Sequence, residues 1–462
     1  MNFLYKYLHI FNCIILTLIL SPIDILSQDG NDWIFGGQIQ IRSELDGRDF
    51  LNETYPYSLT TMRTRVRLEK KVLNQIKFFV ELQDSRVWGQ GKSTTANIFN
   101  IDLHQGYAEI DSILSIPLSA KVGRYEHSYG SNRFFGSNQW HYASRKFDGL
   151  LLKYKEKSFW IDVFNFTHTY FKDFTANYNQ TTYPYPPNAD TSFSIYGIWS
   201  HIKPETNFNF DLFSYYEVDR RKDELERNKR DTLFASSRNV NLNRLTSGGV
   251  FNFKLDKFTT LIEGAYQLGT LTKGKKNAGE TIIHYADYDI SAYTIAARFQ
   301  YDLSELSFSL NSEIVSGTEG GDTAKNNNKL EVFDNTYSTK HGLYGYMDYF
   351  STIQTSTRNL GLHDYYLRSS YKPKESPLYA QLDIHYFTSD KTSASGLTDF
   401  GTEIDYILRY SIYNNSYIEG GGGFFLPGKL MKEIWTINPG KPNEKKREDL
   451  AFWTYLMLRI NI

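Results

Sequence analysis

Cysteine is nearly absent from this chain: one residue, Cys13, among 462. It lies inside the apolar stretch Cys13–Leu20, behind a start whose only basic side chain is Lys6 and ahead of the break at Ser21-Pro22. A small residue, Ser27, then precedes Gln28. A basic start, a short apolar core and a small-residue exit describe a secretory signal peptide, so residues 1–27 are expected to be removed. The core is too short for a membrane helix, which needs roughly 20 residues. Cys13 sits within that core and away from the cleavage point, so it is not read as a lipid attachment site. The remaining chain, 28–462, is read as one domain without cysteine, which excludes disulfides and cysteine-based metal sites.

Other absences narrow the function. No apolar run beyond the leader is long enough for a membrane helix. Charge of one sign is not in excess: 51 Lys and Arg stand against 52 Asp and Glu, a net of −1, which argues against nucleic acid as a partner. No G-x-S-x-G elbow appears, and His341, His363 and His385 are scattered without an assembled nucleophile and base, so no enzyme is expected. The acids Glu319, Asp322, Glu331 and Asp334 lack the spacing of a known calcium loop. Nothing signals a metal, an organic cofactor or a plug domain for energised uptake.

What is abundant is aromatic. Tyr 35 and Phe 32 help bring aromatics to 16%, while the mean hydropathy stays at −0.47. The period of the apolar residues is two, as strands require. Ile76, Phe78, Val80 and Leu82 alternate with Lys77, Phe79, Glu81 and Gln83. Leu378, Ala380, Leu382, Ile384 and Tyr386 alternate with Gln381, Asp383 and His385, and Leu456, Leu458, Ile460 and Ile462 with Met457, Arg459 and Asn461.

Short separators fall at 72–74, 156–158, 203–206, 304–305, 373–377 and 413–416. Long polar ones fall at 46–60, 89–100, 131–145, 172–190, 217–244, 270–287, 317–358, 389–401 and 427–449. Short turns on one side and long loops on the other are the asymmetry of an outer-membrane barrel, whose strands show one face to lipid and one to water. The pattern predicts an all-β fold: a transmembrane antiparallel β-barrel of about eighteen strands, with both termini on the periplasmic side and an aqueous passage within. Outer-membrane lipid and lipopolysaccharide are then the surroundings, and a monomer is expected.

Several motifs resemble the alginate-export family of outer-membrane porins. The most specific runs Val122-Gly123-Arg124-Tyr125-Glu126, Tyr129-Gly130, Arg133, Gly136, Trp140 and Arg145-Lys146-Phe147-Asp148-Gly149. Others are His104-Gln105-Gly106-Tyr107, Ser316-Gly317, His341 with Tyr344-Gly345-Tyr346-Met347-Asp348, Leu362-His363-Asp364 and Phe424-Phe425-Leu426-Pro427-Gly428. The resemblance implies a barrel of about eighteen strands carrying saccharides or small anions. Three departures stand out. The connection Tyr413-Asn414-Asn415-Ser416 is too short to fold under the pore as the alginate exporter's does, Tyr125 stands where the family often has Gln, and the chain ends in Ile462 where barrels usually end in an aromatic.

A porin's chemistry is its lumen. On the second strand Met62, Thr64, Val66 and Leu68 form the lipid-facing row, which points Arg63, Arg65 and Arg67 inward. On the first, Ile39 and Ile41 face out, so Gln38, Gln40, Arg42 and Glu44 face in. Closure sets the last strand beside the first, where Arg459 also faces in. These five arginines predict a basic patch across the closure seam, suited to anions because guanidinium charge is permanent. Arg298, Arg368 and Arg409 also face inward, as do Glu69, Glu81, Glu109, Asp211, Asp302, Asp383, Glu403 and Asp405, so the charges could equally pair and stiffen the wall. Arg124, Arg133 and Arg145 either line a constriction in the third long loop or, for Arg145, pair with Asp148 to hold it. Gly123, Gly130 and Gly136 read as backbone relief at bends.

The resulting expectation is a channel for diffusion of small anionic or saccharide solutes. The alternatives are a dedicated exopolysaccharide exporter working with periplasmic polysaccharide-handling proteins, and a non-transporting receptor or scaffold barrel. In the last, the mixed-charge run 217–244 would meet lipopolysaccharide phosphates.

Overall fold

A computed structural model describes residues 33–72, 75–91, 93, 99–169, 193–204, 207–220, 241–275, 284–321, 328–413, 415–437, 439–441 and 444–462. The expected leader, the 172–190 loop and most of the 217–244 run lie outside the described residues.

The chain alternates strand and connection from end to end. The strands are β1 (Ile34–Gly47), β2 (Tyr57–Val72), β3 (Ile76–Val87), β4 (Ile101–Ile110), β5 (Leu118–Tyr125), β6 (Phe147–Lys155) and β7 (Phe159–Thr169). They continue as β8 (Phe193–Ile202), β9 (Phe208–Asp219), β10 (Asn241–Leu255), β11 (Phe258–Lys275), β12 (His284–Leu303), β13 (Leu306–Val315) and β14 (Lys329–Leu330). The last are β15 (Leu362–Tyr371), β16 (Leu378–Thr388), β17 (Asp399–Tyr413), β18 (Ser416–Pro427) and β19 (Ala451–Asn461). Among the described residues, two short α-helices, α1 (Ile353–Ser356) and α2 (Lys429–Trp435), lie in the connections after β13 and β18.

Each strand pairs antiparallel with its neighbours in sequence, and β1 pairs with β19 from Gln38↔Asn461 to Gly47↔Phe452, which closes the sheet. The exception is β14, two residues lying parallel to β12, so β15 passes it and pairs with β13. Setting β14 aside leaves eighteen strands in a closed antiparallel barrel. Closure leaves no open edge with unpaired N–H and C=O groups in lipid.

The alternation read from the sequence is the alternation of faces. On β2 Val66 points outward and is exposed, while Thr61, Arg63 and Arg65 are buried inside. Leu310, Leu367 and Leu456 are likewise outward and exposed, as suits side chains whose solvent is lipid. Two of the eight short connections carry no signal in the sequence reading. Residues 111–117 hold a 3₁₀ turn, Ile113–Ser115, and Asp256 with φ +52° makes a two-residue turn between β10 and β11. The connection expected over 270–287 narrows to 276–283 because β11 and β12 extend to 18 and 20 residues. Such lengths exceed the ~9–11 residues that cross a bilayer, so the barrel wall rises above the membrane.

The interior is not an open tube. Loop L3 (residues 126–146) and the described residues of loop L7 (316–321 and 328–361) both fold into the barrel. An aromatic cluster seals L3 against the β5–β9 wall: Tyr129 stacks on Trp199 at 4.2 Å, Trp199 on Phe213 at 4.3 Å, and Phe135 on Tyr337 at 5.3 Å. Trp199, Phe135, Phe147 and Phe166 are fully buried there. Aromatic pairs contribute about 0.5–1.5 kcal/mol beyond area burial, enough in number to fix the loop.

Candidate pore and its constriction

The arginines of the closure seam meet L3. Arg42 donates to the Trp140 carbonyl (2.6 Å) and lies 3.8 Å over the Trp140 ring, with Glu44 as its ion-pair partner at 2.7 Å. Arg63 is fully buried and donates to the carbonyls of Gln139 (3.2 Å) and His141 (3.3 Å). Arg65 donates to Ser144 Oγ (2.5 Å) and Gln83 (2.7 Å) and pairs with Glu126 at 3.0 Å. Gln83 and Ser85 add bonds to the Ala143 and Tyr142 carbonyls at 3.0 and 2.9 Å. A strand offers side chains in a row on one face, and here the row reads the edge of a loop backbone. The phasing of these arginines is therefore as expected, while the loop they hold was not visible from phasing.

The other end of L3 is clamped to the opposite wall. Arg133 reaches Glu263 of β11 (3.0 Å) and Glu313 of β13, and Ser131 donates to both oxygens of Glu263 (2.5 and 2.8 Å). Tyr344 of L7 donates to Glu313 at 2.8 Å. One buried guanidinium between two carboxylates satisfies charge and hydrogen bonding together, which a buried ion pair requires.

L7 lies against L3. The Gly136 amide donates to the Tyr337 carbonyl and the Thr339 amide to that of Asn132, both at 2.8 Å. Arg145 donates to the carbonyls of Gly136 (2.8 Å), Thr336 (2.9 Å) and Ser338 (2.9 Å), and to that of Tyr337. Asp148 is not its partner; that carboxylate takes Arg124 at 2.6 and 2.8 Å, across the β5–β6 ladder. The physical reason is direction: Arg124 and Asp148 are opposite one another on the outward face, whereas Arg145 precedes the strand and turns inward. L7 is also held from the wall. Arg244 pairs with Glu217 (2.6 Å) and Asp334 (2.7 Å), and two carboxylates of one β17 face, Glu403 and Asp405, accept the Met347 and Tyr346 amides at 2.8 and 3.0 Å.

The remaining signature residues serve this architecture. Gly123 (φ +131°) and Gly130 (φ +51°) have backbone that a side chain rarely adopts. At Gly149 a Cβ would run into the Asn165 carbonyl, and at Gly136 it would crowd Thr339 of L7. Phe147 packs in the aromatic cluster, and the Tyr129 hydroxyl donates to Asp162 at 2.9 Å. In L3 itself, burial opposes ionisation of Glu126. The His104 hydrogen bond and the Arg65 charge outweigh it and hold the carboxyl down at about 2. Burial, helped by the charges of Lys153 and Lys121, lowers His127 to about 3, so it packs as a neutral aromatic ring, and burial brings Arg145 down to about 10, still charged at neutral pH.

Elsewhere in the lumen the charges divide. Arg368 forms a two-pronged pair with Asp383 (2.8 and 2.7 Å) and Arg409 pairs with Glu419. Among the described residues, Arg298 hydrogen-bonds only to Asn311 (3.0 Å), and Arg459 only to Gln40 (2.9 and 2.5 Å) while lying over the Tyr417 ring. Arg63 shares the same Gln40 Oε1 at 3.0 Å and adds Gln38 at 2.7 Å. Among the described residues, Arg63, Arg67, Arg298 and Arg459 form no ion pair. No group of three or more His, Cys, Asp or Glu there could hold a metal ion. His341, His363 and His385 each face a carboxylate, Asp348, Asp390 and Asp364, with no nucleophile beside them.

The sequence profile described as alginate export matches residues 32–434. This chain belongs to the alginate-export family. No curated protein sequence matches it. Among solved structures, it is similar to OccK8 (OprE) of Pseudomonas aeruginosa, with a TM-score of 0.56 and 10% identity, covering 93% of this chain and 98% of that one. It is also similar to OccAB1 of Acinetobacter baumannii, with a TM-score of 0.55, 12% identity and coverage of 93% and 96%. A BenF-like porin from Pseudomonas fluorescens Pf-5 gives 0.53 and 12%, with coverage of 93% and 98%. Family and fold are those of outer-membrane channels. For this alginate-export barrel the sequence reading missed L7 as a second inward loop, along with Glu313, Glu403 and Asp405 as its wall-side holders and Glu263 as a holder of L3. The only available signal was the run of glycines and aromatics from Tyr337 to Phe350.

Proposed function

We propose that this protein is a monomeric outer-membrane channel, reached after removal of residues 1–27, through which small anionic or saccharide solutes diffuse. The observation that carries the anionic part is the crowding at Gln40. Arg63 and Arg459 share its one amide oxygen and have no carboxylate partner, while Arg67 stands exposed four residues further along β2, opposite Gly36. Uncompensated guanidinium groups facing one lumen favour an anion as the missing partner. Arg42 and Arg65 hold L3 and shape the passage, whereas Arg67, Arg298 and Arg459 supply the selectivity. Arg368 and Arg409, neutralised by Asp383 and Glu419, stiffen the wall.

A second reading, export of a polysaccharide with periplasmic partners, is favoured by the family's description. Against a built-in periplasmic cover, the turn between β17 and β18 spans only residues 414–415. The test is efflux from proteoliposomes loaded with glucose or gluconate, two solutes of similar size and different charge. Gluconate is expected to leave faster, and an Arg67→Gln/Arg459→Gln variant to bring its rate down to that of glucose. Equal rates in the parent protein refute anion preference, and retention of both solutes refutes the channel in favour of a non-transporting barrel.

A further inference from the structure

At the outer mouth, where β1 ends and β2 begins, lies a pocket of about 540 Å³. It is bounded by the β1–β2 loop, by L7 beyond Met347 and by Trp435 at the end of α2. Its chemistry differs from that of the lumen: Asp46, Asp49 and Asp348 line it against one cation, Arg48. That cation is already used, gripping Asp46 at 3.0 and 2.6 Å and donating to the Met347 carbonyl at 3.0 Å.

Each carboxylate is pre-oriented by an internal donor that leaves other lone pairs available. Asp49 accepts the Thr54 hydroxyl (2.6 Å) and the Leu51 amide (3.2 Å), and Asp348 faces His341 at 3.1 Å. The pocket also offers aromatic faces and hydroxyls with nothing to bind. Tyr55 is 98% exposed and Tyr57 64%, and neither phenol hydrogen-bonds to the described residues; nor do the hydroxyls of Ser351 and Ser356. Below them the floor is rigid: Phe50 is fully buried, stacked on Tyr349 at 4.9 Å and edge-on to Trp435 at 5.3 Å. Phe50 and Asp348, both with φ +58°, adopt left-handed backbone to reach these positions, a region that L side chains rarely occupy. Strain of this kind is maintained only where the surroundings over-determine it, which is typical of ligand clamps.

We propose that this pocket is a binding site for neutral, hydroxyl-rich ligands, the class of uncharged oligosaccharides. Amphipathic rings supply stacking faces, fixed carboxylates accept hydroxyl hydrogens, and the excess of carboxylates repels the anions that the lumen would attract. The site stands independently of the channel reading, since it needs binding at the mouth and no passage through it.

The test presents the full-length protein in lipid nanodiscs to an array of neutral and uronate-bearing oligosaccharides. Saturable binding to neutral members is expected, about tenfold weaker in Tyr57→Ala/Trp435→Ala and unchanged in Arg67→Gln/Arg459→Gln. Should loss of Trp435 prevent folding, Tyr55→Ala/Ser351→Ala/Ser356→Ala carries the same test, because those side chains support no neighbour. Binding to uronate-bearing members alone, binding to none, or binding that survives both sets of substitutions overturns the site. Conductance of the same samples reports separately on the channel.

Discussion

The rings of Trp140 and His341 lie face to face, with centroids 3.8 Å apart and planes 6° from parallel. Arg42 covers the other face of Trp140 at 3.8 Å, so one stack runs from the β1 wall through L3 into L7. This joint sets how far the two loops can part. In Trp140→Ala we expect single-channel currents with more frequent open-level fluctuations and a larger mean conductance, read in planar bilayers. His341→Ala should do the same, and the double variant no more than either alone, because both remove one contact.

Arg133 is the wall-side lock of L3. Arg133→Met leaves Glu263 and Glu313 buried without their cation, and removing one partner of a buried pair costs about 3–5 kcal/mol. Thermal unfolding followed by heat-modifiable gel migration should show the loss. Adding Glu263→Gln and Glu313→Gln should restore most of it, since the uncompensated charges are then gone.

Glu126 gives the L3 anchor a pH dependence. Its carboxyl is held at about 2 in the folded protein, below the ordinary glutamate value of about 4.3. A depressed carboxyl contributes stability that is full above the unfolded value and is lost as pH falls through the folded one. The anchor should therefore weaken between about pH 4.3 and about pH 2, seen as rising protease access to residues 139–145. In Glu126→Gln that access should no longer change across the window.

The two carboxylates under L7 act as a clasp on adjacent amides. Glu403→Gln and Asp405→Asn keep an acceptor at each position, whereas Glu403→Ala/Asp405→Ala removes both. Deuterium exchange at Tyr346 and Met347 should speed up markedly in the alanine pair and only slightly in the amide pair. Equal exchange in the two would show that L7 is held elsewhere.

Much of this was legible in the sequence, for one physical reason. A strand between lipid and water must alternate, so Met62 to Leu68 and Ile39 with Ile41 identify the inward arginines without a structure. The long separators are polar because loops outside the bilayer must be. The turn at 111–117 stayed hidden because Ile113, Leu114 and Ile116 are apolar, and the turn at Asp256 because two residues barely interrupt a period of two. L7 was hidden for the opposite reason: inside a barrel, a loop is packed with the same tyrosines and phenylalanines that build strands. Phasing says which way Arg63 points; it does not say that the Gln139 and His141 carbonyls wait there. Arg145 shows the same limit, since its nearest acid in sequence, Asp148, faces the opposite side of the wall.

The most direct test of the central claim is the reversal potential of the purified protein in a planar bilayer under a potassium chloride gradient. The account requires stable conductance with a reversal potential of the sign set by chloride, moving toward the cation side in Arg67→Gln/Arg459→Gln. A cation-selective current, or a silent bilayer from correctly folded protein, would contradict it.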